Sequence, residues 1–557
     1  MDKKYHILIM VLIMSVLAAC TNDAEVDVTE EAEETELSEG GDFVVSTGTD
    51  AVSLDPHGND DLYSDQMRNT IYEGLVTHDE NLEIVPLLAK DYEQVADLTW
   101  EFELREDVVF HDGSEFTAEV VKANLERMID PAMASPRFNI FEMIDGVNVI
   151  DSHTVEIVTE YPFAPFLNHL SHGGGGMISK EVIDKDYENA LEKGGHDLTA
   201  EEYYEVREKR DEEYERIVDD ISSHIGEVVE VTPMGTNYAA FSSRTPGEST
   251  VIERFDEYWG DPMKMDTVTF KIITETNSRI ADLETGNSHM IMGYESSNLS
   301  QIEQSEVMEP YTLYNMAVQY IGFNTQREPL DDKRVRQAIS HLVDRQEIID
   351  GIYNGSGKLP KGVVTSELLG YDESLEGYAY DVERAQELME ETGSEEGLEL
   401  SILTNDDEER VNVGVYLQEA LQEINVDATI EQLEWGAFLE EAGQGNHDIF
   451  IQGAPNSTVD PDQMLWDVFH SSMIGYQGNR TFFQNEAFDQ LLQEGRETSS
   501  DDEREEIYHE AQAILEEEAP MIYFRETESM NAHRTEVEDL YIDQFNKPDF
   551  QDVTLTE

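Results

Sequence analysis

A single cysteine, Cys20, occurs among 557 residues, which excludes an internal disulfide framework and any zinc cage built from several thiolates. Basic residues are scarce too: 35 Lys and Arg stand against 123 Asp and Glu, a net charge of −88. Phosphate contacts need a basic footprint, so nucleic acid is excluded as a partner. Beyond the N-terminus no apolar run approaches the ~20 residues that a spanning helix requires. The apolar share is low at 39%, yet 21 Phe, 24 Tyr and recurrent Ile, Leu and Val runs leave material for packed cores. General disorder is therefore excluded, and the length calls for more than one domain.

What is present begins with a leader. Lys3 and Lys4 precede an apolar stretch from Ile7 to Leu17, and Ala18-Ala19-Cys20 follows. A basic start, a short apolar run and small residues before a cleavage point describe a secretory signal over residues 1–19. The cysteine position resembles the bacterial lipobox. That resemblance implies an acylated Cys20 as the mature N-terminus, held to the outer face of the cytoplasmic membrane by its lipid. Residues 20–41 are dense in Asp and Glu without apolar periodicity, and read as an extended acidic tether.

So much like charge destabilises a compact state through self-repulsion, which salt relieves as the Debye length falls to about 3 Å near 1 M. An acidic surface of this kind is expected of a saline or alkaline habitat. A melting temperature that fails to rise between dilute buffer and molar salt would contradict it. Calcium loops are not the reason for the charge, since no D-x-[DN]-x-[DN]-G pattern with its terminal Glu occurs.

Trp100, Phe102 and Leu104 alternate with charged residues, as in a half-buried strand. Thr117 is placed to cap a helix whose apolar face carries Val121, Leu125 and Met128. Strands are expected over 154–159 and 268–274. A charged helical excursion over 186–228, with Glu205/Lys209 and Glu212/Arg216 at i,i+4, has a thin apolar side (Tyr203, Tyr214, Ile217, Ile221) and reads as surface. Asp332 and Asp381 are placed to cap two further helices, with Gly393 just past the second. Leu398–Leu403, a helix near Glu409–Glu423 and Val426–Leu433 form a strand–helix–strand crossover, hence a parallel pair. Strands interleaved with helices in both halves give an α/β (mixed α+β) protein of two lobes.

Catalytic motifs fail one after another. Gly351–Lys358 has Ile352 where a phosphate loop needs Gly, and Leu359 where it needs Ser or Thr. Gly173–Gly176 reads as a flexible turn. His169 and His172 read as a loop-exposed pair without a third metal ligand. Ser288 lacks the second Gly of a nucleophile elbow. The sequence carries no enzyme signature, no cofactor site and no metal site.

Ordered motifs point elsewhere. Ser53-Leu54-Asp55-Pro56-His57, Tyr72-Glu73-Gly74-Leu75, Pro86–Ala89, Trp100–Arg105 and Phe110-His111-Asp112-Gly113 lie in the first part of the chain. Tyr258-Trp259-Gly260, Gly322-Phe323-Asn324, Asp332–Ala338 and Tyr380-Asp381 follow. From Asp42 onward the chain resembles the peptide/nickel group of solute-binding proteins that serve ABC importers. The resemblance implies a two-lobed periplasmic-binding-protein-like fold with an accessory domain inserted in the first lobe. It divides the chain into first-lobe segments 42–78, 178–315 and 521–557, an accessory domain 79–177, and a second lobe 316–520. The chain crosses between lobes near 315–323 and 521–524. It also implies a monomer that closes on a peptide or other small solute outside the cell and hands it to membrane permease subunits.

The resemblance carries ligand contacts onto Asp60, Asp61 and Leu62 in the first lobe. In the second it carries them onto Trp435 and the segment holding Asn456, Ser457 and Asp460. Trp435 reads equally as a core residue after a strand. Ser457 stands where peptide binders commonly place an Asp against the peptide amine, and Ala454 stands at the neighbouring aromatic position. Losing that carboxylate removes a charge-assisted hydrogen bond of about 1.5–3 kcal/mol. Either Asp60, Asp61 or Asp460 replaces it, or the ligand is not a free-amine peptide. A nickel chelate, another small solute, and a surface binding protein without transport are the alternatives.

Overall fold

A computed structural model describes residues 37–38, 40–393, 397–475 and 478–556. The expected signal peptide, Cys20 and most of the acidic tether lie outside the described residues.

The chain builds one ten-stranded mixed sheet and a separate four-stranded antiparallel one, flanked by helices. Along the large sheet the strands run Val426–Leu433, Leu398–Asn405, Ile449–Pro455, Met308–Phe323, Met521–Arg534, Met290–Met292, Asp42–Thr47, Thr267–Ile272, Ser249–Arg254 and Ala239–Thr245. Asp42–Thr47 pairs parallel with both of its neighbours, Thr267–Ile272 and Met290–Met292. Its side chains are buried on both faces from Val45 onward, as parallel strands under helices require. The expected crossover is present: Leu398–Asn405 and Val426–Leu433 pair in parallel, joined by the helix Glu408–Leu421.

Two strands span both halves of this sheet. Met308–Phe323 (16 residues) and Met521–Arg534 (14 residues) pair antiparallel from Met308↔Arg534 to Gly322↔Met521. Their register shifts between Tyr314 and Val318 and again between Gln319 and Tyr320. Such shifts bend a strand and break its ladder, so the ribbon is weakest where it passes from one half to the other. The crossovers expected at 315–323 and 521–524 lie within these strands.

The four-stranded sheet, Ala89–Ala96, Thr99–Leu104, Thr154–Thr159 and Ile144–Asp151 in spatial order, is covered by the helix Ala118–Met128 and has its own apolar core. Val121, Leu125 and Met128 are buried there. Thr117 occupies the N-cap but makes no side-chain capping bond. Asp332 and Asp381 do cap their helices, accepting from the Arg334 and Arg384 amides, and Gly393 closes the second in the left-handed region at φ 74°.

Four expectations need correction. The 186–228 excursion is no mere surface decoration: it folds as helices Lys180–Gly194, Ala200–Arg207 and Glu212–Ile221, and Tyr203, Tyr214, Ile217 and Ile221 are buried in the first core. The hydroxyls of Tyr187, Tyr203 and Tyr214 all donate to one carboxylate, Asp130, at 2.8, 2.9 and 2.8 Å. That partner lies just past the end of the distant helix Ala118–Met128, so periodicity within the excursion could not reveal it. Nor do the side chains of Glu212 and Arg216 pair: Arg216 donates instead to the Glu212 carbonyl.

His169 and His172 are not loop-exposed. Both are buried, His169 on the helix Phe166–Leu170 facing the Ile140 carbonyl at 2.8 Å and His172 accepting from the Gly174 amide at 3.0 Å. Burial pushes both pKa values down. The glycines beside them are not a flexible turn either: a Cβ on Gly175 would stand 2.6 Å from the Leu170 carbonyl oxygen, so glycine is demanded by close packing.

Candidate functional site

Segments packed on the two halves of the large sheet meet in a few contacts. Asn168 donates to Asp460 at 3.3 Å and Asn139 donates to Asp467 at 3.3 Å. The Ala164 amide donates to the Arg496 carbonyl at 2.7 Å, and Ser296 donates to Glu409 at 3.3 Å. Leu82 and Phe545 pack on the core beneath the opposite half.

On the first side, the chain leaves the strand Asp42–Thr47 and turns into the short helix Leu62–Arg68. Asp61 caps that helix by accepting the Ser64 amide at 3.0 Å. Asp60 reaches Arg137 at 3.2 Å. Leu62 and Tyr63 present large exposed surfaces. Beneath them Arg127 is wholly buried, donating to Asp55 at 3.0 and 2.6 Å and to Asp186 at 3.0 Å. Burial alone would raise the Asp55 pKa, but the guanidinium outweighs it and holds the carboxyl below its usual range. His57, 2.8 Å from Arg127, is held neutral by burial and by that cation, with its pKa near 3.

On the second side, the strand Ile449–Pro455 ends in a loop that Asn456 organises from within. Its Oδ1 accepts the Thr458 and Val459 amides at 3.2 and 2.8 Å, and its Nδ2 donates to the Asp460 carbonyl at 2.6 Å. Asp460 is buried, caps the helix Pro461–Phe469, and accepts Arg504 at 2.7 and 2.8 Å. Among the described residues Ser457 has no charged partner: its amide donates to the Gln463 side-chain oxygen at 2.8 Å. Trp435 opens the helix Trp435–Gln444 and is 40% exposed. It stacks on Phe438 at 5.4 Å, with the Arg410 guanidinium 5.7 Å from its ring centre.

Asp61, Asn456 and Asp460 thus spend bonds on holding backbone in place, whereas Leu62, Trp435 and Ser457 keep surface free. A cavity of about 560 Å³ lies elsewhere, among Arg68, Tyr72, His172, Tyr238, Tyr258 and Phe545, and holds none of the expected site residues. One feature escaped sequence reading: Asp467, flanked by Arg496, Asp462 and Asp60, whose pKa burial raises to about 7.

Among the described residues no group of three or more His, Cys, Asp or Glu is placed to hold a metal ion, and no helix is long and apolar enough to cross a membrane. Two half-sheets joined by a paired ribbon are the architecture of a two-lobed solute-binding protein. Comparison with known proteins agrees: residues 83–476 match the bacterial extracellular solute-binding proteins, family 5, and the chain belongs to that family.

Among its relatives is the glutathione-binding protein GsiB of Salmonella typhimurium, 28% identical over 501 residues, covering 88% of this chain and 90% of that one. The dipeptide-binding protein of Escherichia coli is 26% identical, covering 85% and 86%. The periplasmic binding protein DppA of Helicobacter pylori, solved with the peptide STSA, superposes with a TM-score of 0.76 at 26% identity, covering 93% and 99%. The two-lobed mixed α/β fold expected from sequence is therefore borne out. The chain is the extracytoplasmic binding component of an ABC importer for peptides or other small solutes, and not an enzyme.

Proposed function

We propose that this protein captures peptides outside the cell by closing its two lobes and delivers them to a membrane permease. The observation that carries this is the crossover ribbon, whose two register shifts fall where it passes between the two halves of the large sheet. A ribbon bent there hinges more readily than an unbroken ladder, and ligand shifts the balance by the extra contacts it makes in the closed form. The peptide reading is supported by the relatives, one described as dipeptide-binding and one solved with a tetrapeptide.

In this reading the first lobe comprises 42–78, 178–315 and 521–557, the accessory domain 79–177 and the second lobe 316–520. Asp60, Asp61, Leu62, Trp435 and Ser457 face the ligand, while Asn456 and Asp460 shape the loop that does. Cys20 carries the lipid anchor, the tether lifts a monomeric body off the membrane, and the acidic surface suits a saline setting.

The neutral pair of Ser457 and Gln463 offers hydrogen bonds without charge, so the peptide amine is not paired there as an Asp would pair it. Thermal shift against a mixed peptide pool and a nickel–histidine chelate tests the ligand class. A ligand at 100 times its Kd stabilises by about 2.7 kcal/mol, and a rise with the chelate alone would replace the peptide reading. Trp435→Ala removes an exposed aromatic anchor and is expected to weaken peptide affinity about 10–30-fold while leaving the melting temperature of the free protein unchanged. Unchanged affinity would remove Trp435 from the site.

A further inference from the structure

The cavity of about 560 Å³ has the size of a small-molecule pocket. It is enclosed by the helix Leu62–Arg68, the segment 171–176 and the C-terminal stretch 541–552. Among the described residues nothing between Tyr258 and Tyr541 lines it, so it stands apart from Trp435 and the loop from Asn456 to Asp460. Glu80 and Tyr541 in its lining are exposed, which leaves a path to solvent.

Several of its charged groups are already spent. Arg68 pairs with Asp65 at 2.8 Å, and Glu73 accepts Thr236, Tyr258 and Trp259 at 2.7–3.2 Å. Three lining groups are not. His172 is only 4% exposed, and its Nδ1 accepts the Gly174 amide at 3.0 Å. Burial keeps the ring neutral, so Nε2 carries the proton; among the described residues that N–H has no acceptor. Lys547 makes no ion pair among the described residues either, in a chain with 123 acidic ones, and its ammonium rests 5.1 Å from the Phe545 ring centre. Asp543 accepts the Phe545 and Lys547 amides at 3.0 and 2.8 Å through Oδ1 alone, which leaves Oδ2 free. Burial raises its pKa to about 6, a cost that an arriving cation relieves.

The turn that carries Asp543 and Lys547 is fixed in place. Gln66 donates to the Asn546 carbonyl at 2.9 Å, and Asn531 to the Asn546 side chain at 2.7 Å. Two donors and one acceptor thus face one cavity from rigid backbone, and each lacks a partner of its own.

We propose that this cavity is a second solute site that takes a small zwitterion with an apolar body, such as an aliphatic amino acid. The carboxylate of the solute accepts from Lys547 and His172, and its ammonium donates to Oδ2 of Asp543. Leu82, Leu87 and Phe545, half-buried in the lining, receive the apolar body. The site is independent of the solute captured between the lobes.

Calorimetric titration of the full chain with L-leucine, L-leucinamide and 4-methylpentanoate tests it. Leucine is expected to bind with a Kd under about 1 mM, and each analogue, lacking one charged end, at least about tenfold more weakly. Lys547→Met should bring the preference for leucine over leucinamide under about threefold, and Lys547→Arg should keep it, which separates lost charge from lost packing. Asp543→Asn retains an acceptor for the two amides and should erase the preference over 4-methylpentanoate. Trp435→Ala should leave leucine binding unchanged. Equal binding of the three probes, or no binding of leucine, would overturn this site and leave peptide capture standing. Leucine binding that survives Lys547→Met but falls with Trp435→Ala would place the amino acid between the lobes and overturn the proposal.

Discussion

Replacing Arg127 by Met is expected to cost about 3–5 kcal/mol of folding stability, because it strands two buried carboxylates that share one cation. Arg127 ties together three separated segments: the loop holding Asp55, its own helix Ala118–Met128, and the helix Lys180–Gly194 through Asp186. Asp186 also accepts the Gly226 and Val228 amides at 2.8 and 3.0 Å, so it cannot turn away to water. The Asp55 pKa is depressed in the fold. Its contribution is therefore present above the unfolded value near 3.8 and is lost as pH falls through the lower folded value. The gap between wild type and variant should accordingly narrow in strong acid. Urea unfolding at pH 7 and pH 3 measures both effects, and a loss under about 1 kcal/mol at pH 7 would show that the cluster does not hold the first lobe together.

Lobe closure is expected to weaken as pH rises toward neutrality, through Asp467. With the lobes together its carboxyl faces Asn139 and Asp60 from the first side and Arg496 and Asp462 from its own, and its pKa stands near 7. Parting the lobes admits water and returns the carboxyl toward the ordinary 3.8. The closed form then holds a proton that the open form has lost. Closure is unpenalised below about pH 4, increasingly penalised from there to about 7, and fully penalised above. Three pKa units correspond to about 4 kcal/mol as an upper bound. Asp467 keeps some contact with water, so an effect of at least about tenfold on apparent Kd is the expected floor. Asp467→Asn keeps an acceptor for Asn139, and should bind more tightly than wild type at pH 8, with the difference closing as pH falls to about 4. Parallel pH profiles for the two proteins would contradict this.

The strands over 99–104, 154–159, 398–405 and 426–433 and the caps at Asp332 and Asp381 were legible because each is written in local pattern: alternation, a capping side chain, a closing glycine. What pattern could not give is contact between distant segments. The three tyrosines on Asp130 look like a thin apolar stripe until their common partner is seen. The histidines near 170 look exposed in a glycine-rich stretch whose glycines are in fact demanded by packing. Family motifs pointed to Trp435 and the loop from Asn456 to Asp460, but not to the bonds by which Asn456 and Asp460 shape that loop.

The central claim, closure of two lobes on a ligand, is tested most directly by an interlobe distance. The chain has no cysteine after Cys20, so Ser243→Cys in the first lobe and Glu419→Cys in the second, both exposed, accept a pair of fluorescent labels. Saturating peptide is expected to shift the distance distribution to a single shorter population. Peptide that binds by calorimetry yet leaves that distribution unchanged would contradict capture by closure.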